Sequence, residues 1–182
     1  MVSTGQRIIN PVSGEEITFE QTAADTAGAL LTFHFVLHPG GQVATEHIHP
    51  RRQERVEVRT GTLLVRLDGT DHLLHPGDHL VIPPGTPHRM HHPDPHGPDL
   101  SATVAFTPAG RVAEFLDDVF SLAATGHTDH QGRLPLLQAA VTTAGYFPDV
   151  ALATPPLPVQ RLLLTALRPL AHLRGYRRTY PT

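Results

Sequence analysis

Through the first hundred residues, apolar and polar positions alternate with period two in short runs, each broken by glycine or proline. That pattern predicts strands and tight turns rather than helices. From Leu30 to Leu37, Leu31, Phe33, Phe35 and Leu37 share one face, with Thr32, His34 and Val36 on the other. Arg7 to Asn10 and Glu15 to Glu20 flank a turn at Asn10-Pro11-Val12-Ser13-Gly14. Glu54 to Arg59 alternates again, with Glu54, Val56 and Val58 on one side. Thr62 to Leu67 carries the apolar face Leu63, Val65 and Leu67, and Asp68-Gly69 is a two-residue hairpin turn into Thr70 to His75. His79 to Ile82, His88 to His92 and Leu100 to Thr107 complete the set. The expected fold is mainly β, an antiparallel jelly-roll barrel.

After Pro108-Ala109-Gly110 the period changes to 3.6. Helices are predicted over Val112 to Ala124, Leu136 to Ala144 and Val159 to Leu173. Pro169 is expected to bend or interrupt the third. The stiff segment Thr154-Pro155-Pro156-Leu157-Pro158 connects the last two. The apolar stripes are too narrow to make a core of their own. The domain reading is therefore a barrel over residues 1–110 and a helical extension over 111–182, with all three helices buried against the barrel.

Composition narrows the function classes. The 182 residues carry a formal charge of −3, which favours neither nucleic acid nor an anionic membrane as a partner. Cysteine is absent, so disulfides and thiolate chemistry are excluded. The first residues lack the apolar run of a secretory signal, and no apolar stretch approaches a membrane span. The expectation is a cytoplasmic protein.

The chemistry concentrates between Gly41 and His88. Along an extended strand His47 and His49 point the same way, about 7 Å apart. Pro50 ends that ladder, Arg51-Arg52-Gln53 can turn the chain, and Glu54 opens the next strand. His88 follows the rigid turn Pro83-Pro84-Gly85-Thr86-Pro87. Three imidazoles and a carboxylate suit one divalent transition metal, among Fe, Mn, Ni, Co and Zn.

These blocks resemble the two motifs of the cupin superfamily. The first runs Gly41, five residues, His47-x-His49, four residues, Glu54, six residues, Gly61. The second runs Gly77, five residues, Pro83-x-Gly85, two residues, His88. The departure is His92, which stands where asparagine is usual. The resemblance implies the same jelly roll, and it covers dioxygenases, oxidases, decarboxylases, isomerases and cyclases as well as non-enzymatic binders.

By strand parity Val56, Val58, Leu63, Val65 and Met90 are expected to line a pocket with few fixed charges. That disfavours oxalate-like or sugar-phosphate substrates. His92 is a candidate acid/base at the pocket rim, or else the first residue of a polar loop. His34 is a second candidate, pointing either into the pocket or away from it. His127-Thr128-Asp129-His130 contains a His-x-Asp pair but reads as an exposed loop. The functional expectation is a metal-dependent enzyme, oxygenase-type or isomerase/cyclase, acting on a small, largely apolar molecule in specialised metabolism. The alternative is a binding or sensor module without turnover. The short N-terminal strands leave sheet edges to cover, so a homodimer is expected.

Overall fold

The computed structural model describes residues 2–180; the expected domain bounds at residues 1 and 182 fall outside them. Strands β1 (Arg7–Asn10), β2 (Glu15–Gln21), β3 (Leu31–Leu37), β4 (His47–Ile48) and β5 (Gln53–Thr60) come first. They are followed by β6 (Leu63–Leu67), β7 (Thr70–Leu74), β8 (His79–Ile82), β9 (His88–His91) and β10 (Leu100–Thr107). Then come helices α1 (Val112–Ala124) and α2 (Leu136–Thr142), a short strand β11 (Ala151–Leu152), and helix α3 (Leu157–Leu173).

The strands form two antiparallel sheets. One is ordered β1-β2-β3-β10-β5-β8, the other β11-β4-β9-β6-β7. Alternation in the sequence becomes alternation in burial. Ile17 and Phe19 of β2, Phe33 and Phe35 of β3, Val56 and Val58 of β5, and Val104 and Phe106 of β10 all turn inward. Fully burying each such side chain contributes roughly 1.5–3 kcal/mol. The β6–β7 hairpin turns at Asp68 and Gly69, both at positive φ, as its two-residue loop requires.

The helical third departs from expectation in three ways. Helix α1 does pack on the barrel, against β1, but α3 packs along α2 instead. Of α3, only Gln160, Leu164 and Ala171 are buried, while Leu162 is 74% and Leu173 86% exposed. Pro169 does not interrupt α3. It sits on an exposed stretch, and Thr165, whose carbonyl it cannot pair, is exposed as well. And α2 ends at Thr142, tightening into a 3₁₀ turn over Thr143–Tyr146.

The connection after that turn was unforeseen. β11 adds an edge strand to the second sheet, with Leu152 opposite His47 and Ala151 opposite Ile48. The Gln160 side chain bonds the backbone of Leu152 at both N and O, bracing this edge from α3. Just before it, Asp149 pairs with the buried guanidinium of Arg52. Arg52 also donates to the Pro108 carbonyl at 3.2 Å. Gly110 is demanded by this cluster: a Cβ there would lie 1.5 Å from Arg52 Nη1, and its φ is +56°.

Removing one member of a buried ion pair costs roughly 3–5 kcal/mol, because the other charge is left desolvated. Asp149→Ala is therefore expected to lower the unfolding free energy by about that amount in urea titration. A loss below about 1 kcal/mol would mean Arg52 finds solvent or another acceptor.

Candidate metal centre and its cavity

Four side chains converge between the sheets. His47, His49, Glu54 and His88 each offer a ligand atom, and these atoms lie within 4.8 Å of one another. Among the described residues this is the one such group. Its geometry follows from the sheet pairing. His47 on β4 is the register partner of His88 on β9, which brings their rings together, tilted by 55° with centroids 4.3 Å apart. The turn after His49 carries the chain into the opposite sheet, so Glu54 on β5 faces the histidines across the interior. His49 also packs edge-on against Phe106, 4.7 Å between centroids.

Each imidazole is oriented through its Nδ1. His47 meets the Thr45 carbonyl at 3.0 Å, His49 that of Asp149 at 3.0 Å, and His88 that of Thr86 at 2.9 Å. With Nδ1–H donated to a carbonyl, each Nε2 is left as a lone-pair donor aimed inward, the arrangement metal-binding histidines use. The result is a cluster short of partners. His49 Nε2, His88 Nε2 and Glu54 Oε2 are fully buried and lack aligned hydrogen bonds. Yet His88 Nε2 lies 2.8 Å from Glu54 Oε2, and His49 Nε2 lies 3.5 Å from it. Buried polar atoms this close and unsatisfied call for a cation among them.

The titration behaviour agrees. Burial, with the neighbouring imidazoles, holds His47 well below its ordinary value. Burial likewise pushes His49 down to about 4, against the opposing pull of Glu54. Both are neutral ligands near neutral pH. Burial would lower His88 too, but the Glu54 carboxylate outweighs it and the net shift is upward. Burial would raise Glu54, and His88 and His49 together bring it down. Without an ion, a proton on His88 answers the charge of Glu54.

The cluster opens on a cavity of about 440 Å³, a size suited to a small organic ligand. Its walls come from both parts of the chain: Ile17, Phe33, Phe35, Val104 and Phe106 from the barrel, Phe115, Leu116 and Val119 from α1, Leu163 and Leu164 from α3. His47, His49 and Glu54 reach it, whereas His88 is closed off behind them at 0% exposure.

Several expected lining residues are elsewhere. Of the five predicted by parity, only Met90 lines the cavity. Val56, Val58, Leu63 and Val65 face inward as expected, but they are packed solid in the part of the barrel that the cavity does not reach. Parity gives the face of a sheet, not how far along the barrel the packing is complete. His34 is not in the cavity either; Phe33 and Phe35 take the inward face of β3 and turn it out. His92 is buried, but it clamps its own loop, with Nε2 at 2.9 Å from the Pro98 carbonyl and Nδ1 accepting from Asp94 N–H at 3.1 Å. Neither histidine is placed for acid/base work in the cavity. In the loop at 127–130, His127 stacks on Tyr180 and Asp129 binds Arg133.

Two acidic residues escaped the sequence reading. Asp149, a hundred residues from His49, orients it through a backbone carbonyl, which no side-chain pattern reveals. Glu15 did carry a signal: it shares parity with Ile17 and Phe19, the inward face of β2. It is 6% exposed and lines the cavity. Burial pushes its carboxyl up to about 7, only partly offset by the Ser13 hydroxyl. A carboxyl raised on folding costs stability above its unfolded value, increasingly until pH passes the folded one. Glu15→Gln should therefore raise the melting temperature at pH 8, by an amount equivalent to roughly 3 kcal/mol, and much less at pH 5. Equal shifts at both pH values would show that the ionised form bears no such penalty.

Comparison with known proteins places the barrel. A family model described as a cupin domain matches residues 33–98. No curated protein sequence matches the chain. Among solved structures, KdgF from Halomonas sp. is similar at 25% identity, covering 52% of this chain and 79% of its own, with a TM-score of 0.46. An RmlC-like cupin from Shewanella frigidimarina is 20% identical over 60% of this chain and 89% of its own, TM-score 0.48. A predicted oxalate decarboxylase from Thermotoga maritima is 22% identical over 59% of this chain and 99% of its own, TM-score 0.50. The last of these likenesses supports the double-sheet fold and nothing about substrate. Residues 33–98, which hold the two motif blocks, match a cupin domain, and the two antiparallel sheets around them form a cupin-like jelly roll.

Proposed function

We propose that this protein is a mononuclear metal-dependent enzyme for a small, largely apolar organic molecule. The observation that carries the reading is the cluster of buried, partner-short ligand atoms opening on an apolar cavity. His47, His49, Glu54 and His88 would hold one divalent transition ion, among Fe, Mn, Ni, Co and Zn. Such an ion, when bound, acts as a Lewis acid or a centre for O₂ chemistry, and three histidines with one carboxylate leave positions free on a five- or six-coordinate ion. Oxygenase-type or isomerase/cyclase chemistry fits an apolar pocket with a single ion.

The remaining residues support this reading by what they exclude. Among the described residues Arg133 is the one arginine on the cavity wall, and it is paired with Asp129. A small dicarboxylate or a sugar phosphate would find no unpaired basic side chain there. The helices roof the cavity, so α1 and α3 set the length of substrate that fits and keep bulk water away.

The metal assignment is tested by element analysis of protein purified without chelator. About one ion per chain is expected for the wild type and none for His49→Ala or His88→Ala, with the β-sheet circular dichroism unchanged. The aliphatic core does not need the ion to fold. Because the ion must displace any proton that Glu54 favours on His88, calorimetry in buffers of different ionisation enthalpy should show proton release on metal uptake that falls as pH rises. Wild-type protein that takes up no ion would overturn the assignment.

We also propose a homodimer. The β1 edge is only partly covered by α1, and Ile9 on it is 45% exposed. Light scattering at micromolar concentration should give twice the chain mass; a monomer would count against it.

A further inference from the structure

We propose that Glu15 and Asn10 form a second polar pole of the cavity, which anchors a hydroxyl group at the end of the ligand away from the histidine cluster. This rests on the reading of the cavity as a ligand site. Glu15 and Asn10 are register partners across β1 and β2, both turn inward, and both line the cavity. They lie on the outer strands of the six-stranded sheet, with β3 and β10 between them and Glu54 on β5. The wall between the two ends is apolar: Ile17, Phe33, Phe35 and Val104.

The hydrogen-bond accounts of the two residues leave a matched donor and acceptor over. Asn10 Oδ1 accepts from Val12 N–H at 3.1 Å and Ser13 N–H at 3.2 Å, which spends the oxygen and leaves the amide Nδ2. Glu15 Oε2 accepts from Ser13 Oγ at 2.6 Å, and no protein donor meets Oε1 among the described residues. Among the described residues no basic side chain is paired with this carboxylate; burial pushes it up to about 7 with only the Ser13 hydroxyl opposing. The backbone of the turn is closed by Asn10 Oδ1, and the Ser13 hydroxyl occupies one carboxyl oxygen of Glu15, leaving Oε1 to the cavity. Burying a carboxyl in an apolar wall is costly unless something binds it.

The chemistry of the pole selects the group. A hydroxyl donates its proton to Glu15 Oε1 and accepts from Asn10 Nδ2, satisfying both at once. A terminal carboxylate or phosphate is repelled by Glu15 in its ionised form. An ether or a bare hydrocarbon leaves both groups unpaired, and leaving buried polar groups unpaired is what makes such sites discriminate. The ligand class is an elongated apolar molecule bearing an alcohol or phenol at its far end.

The test uses the whole chain and two probes, 4-phenylphenol and 4-methoxybiphenyl, with binding measured by calorimetry and metal content by element analysis. The wild type should prefer the phenol by about tenfold or more. In Glu15→Gln the amide offers a donor where the hydroxyl needs an acceptor, so the preference should fall to about twofold or less, with 4-methoxybiphenyl affinity and metal content unchanged. Glu15→Asp, which withdraws the carboxyl from the cavity, should do the same and serves if the glutamine variant fails to fold. Metal-free His88→Ala should keep the preference, since the two ends are separate. Wild type that binds both probes equally, or a preference that survives both Glu15 variants, overturns the pole while leaving the cavity reading intact. Wild type that binds neither probe overturns both.

Discussion

The charge of Glu54 is the constraint around which the barrel is arranged. A carboxylate 4% exposed between two β-sheets is untenable unless answered, because removing it from water costs several kcal/mol. The sheets answer it with imidazoles. β4 and β9 pair in the register that sets His47 opposite His88; a slip of one residue would turn His88 outward and leave Glu54 with His49 as its remaining neighbour. β5 must cross to the other sheet immediately after His49, so that the carboxylate comes from the facing wall. The short ladder of β4, the proline that ends it and the tight turn at residues 49–52 are consequences of this requirement.

That turn is where the helical extension becomes part of the site. Arg52, at the end of the turn, is buried and paired with Asp149, whose backbone carbonyl fixes the Nδ1 of His49. One residue from the far end of the chain thus neutralises the turn and orients a ligand. β11 follows directly and pairs with β4, so the strand bearing His47 has neighbours on both sides. The barrel ligands and the extension are mechanically one unit, although the family motif lies wholly within the barrel.

Much of this was legible in the chain because the signals were local. Alternation gave the strands nearly to the residue: the expected Leu30 to Leu37 is β3 at Leu31–Leu37, and His79 to Ile82 is β8 as observed. The convergence of His47, His49, Glu54 and His88 was readable from spacing because glycines and prolines dictate where each strand stops. What was not legible depended on distant contacts. Val56, Val58, Leu63 and Val65 were placed on the right face, yet whether that space is filled or open is decided by the packing of all the strands together. α3 has the stripe of a buried helix but lies on α2, with Leu162, Leu170 and Leu173 out, because nothing in a stripe says which surface will meet it. Asp149 acts through its backbone as well as its carboxylate, and a backbone carbonyl leaves no trace in side-chain type.

The cavity follows from a division of labour between the sheets and the helices. The part of the barrel holding Val56, Val58, Leu63 and Val65 is packed solid and supplies stability, so the remainder is free to stay open. An open apolar cavity on a sheet would flood unless covered. The cover is helical: α1 sets Phe115, Leu116 and Val119 against it, and α3 reaches in with Leu163 and Leu164. Helices held by their own packing and by Asp149, rather than by strand hydrogen bonds, can change their side chains without disturbing the ligand cluster. His47, His49, Glu54 and His88 are therefore set by the strand register, while the wall they face is set by the helices.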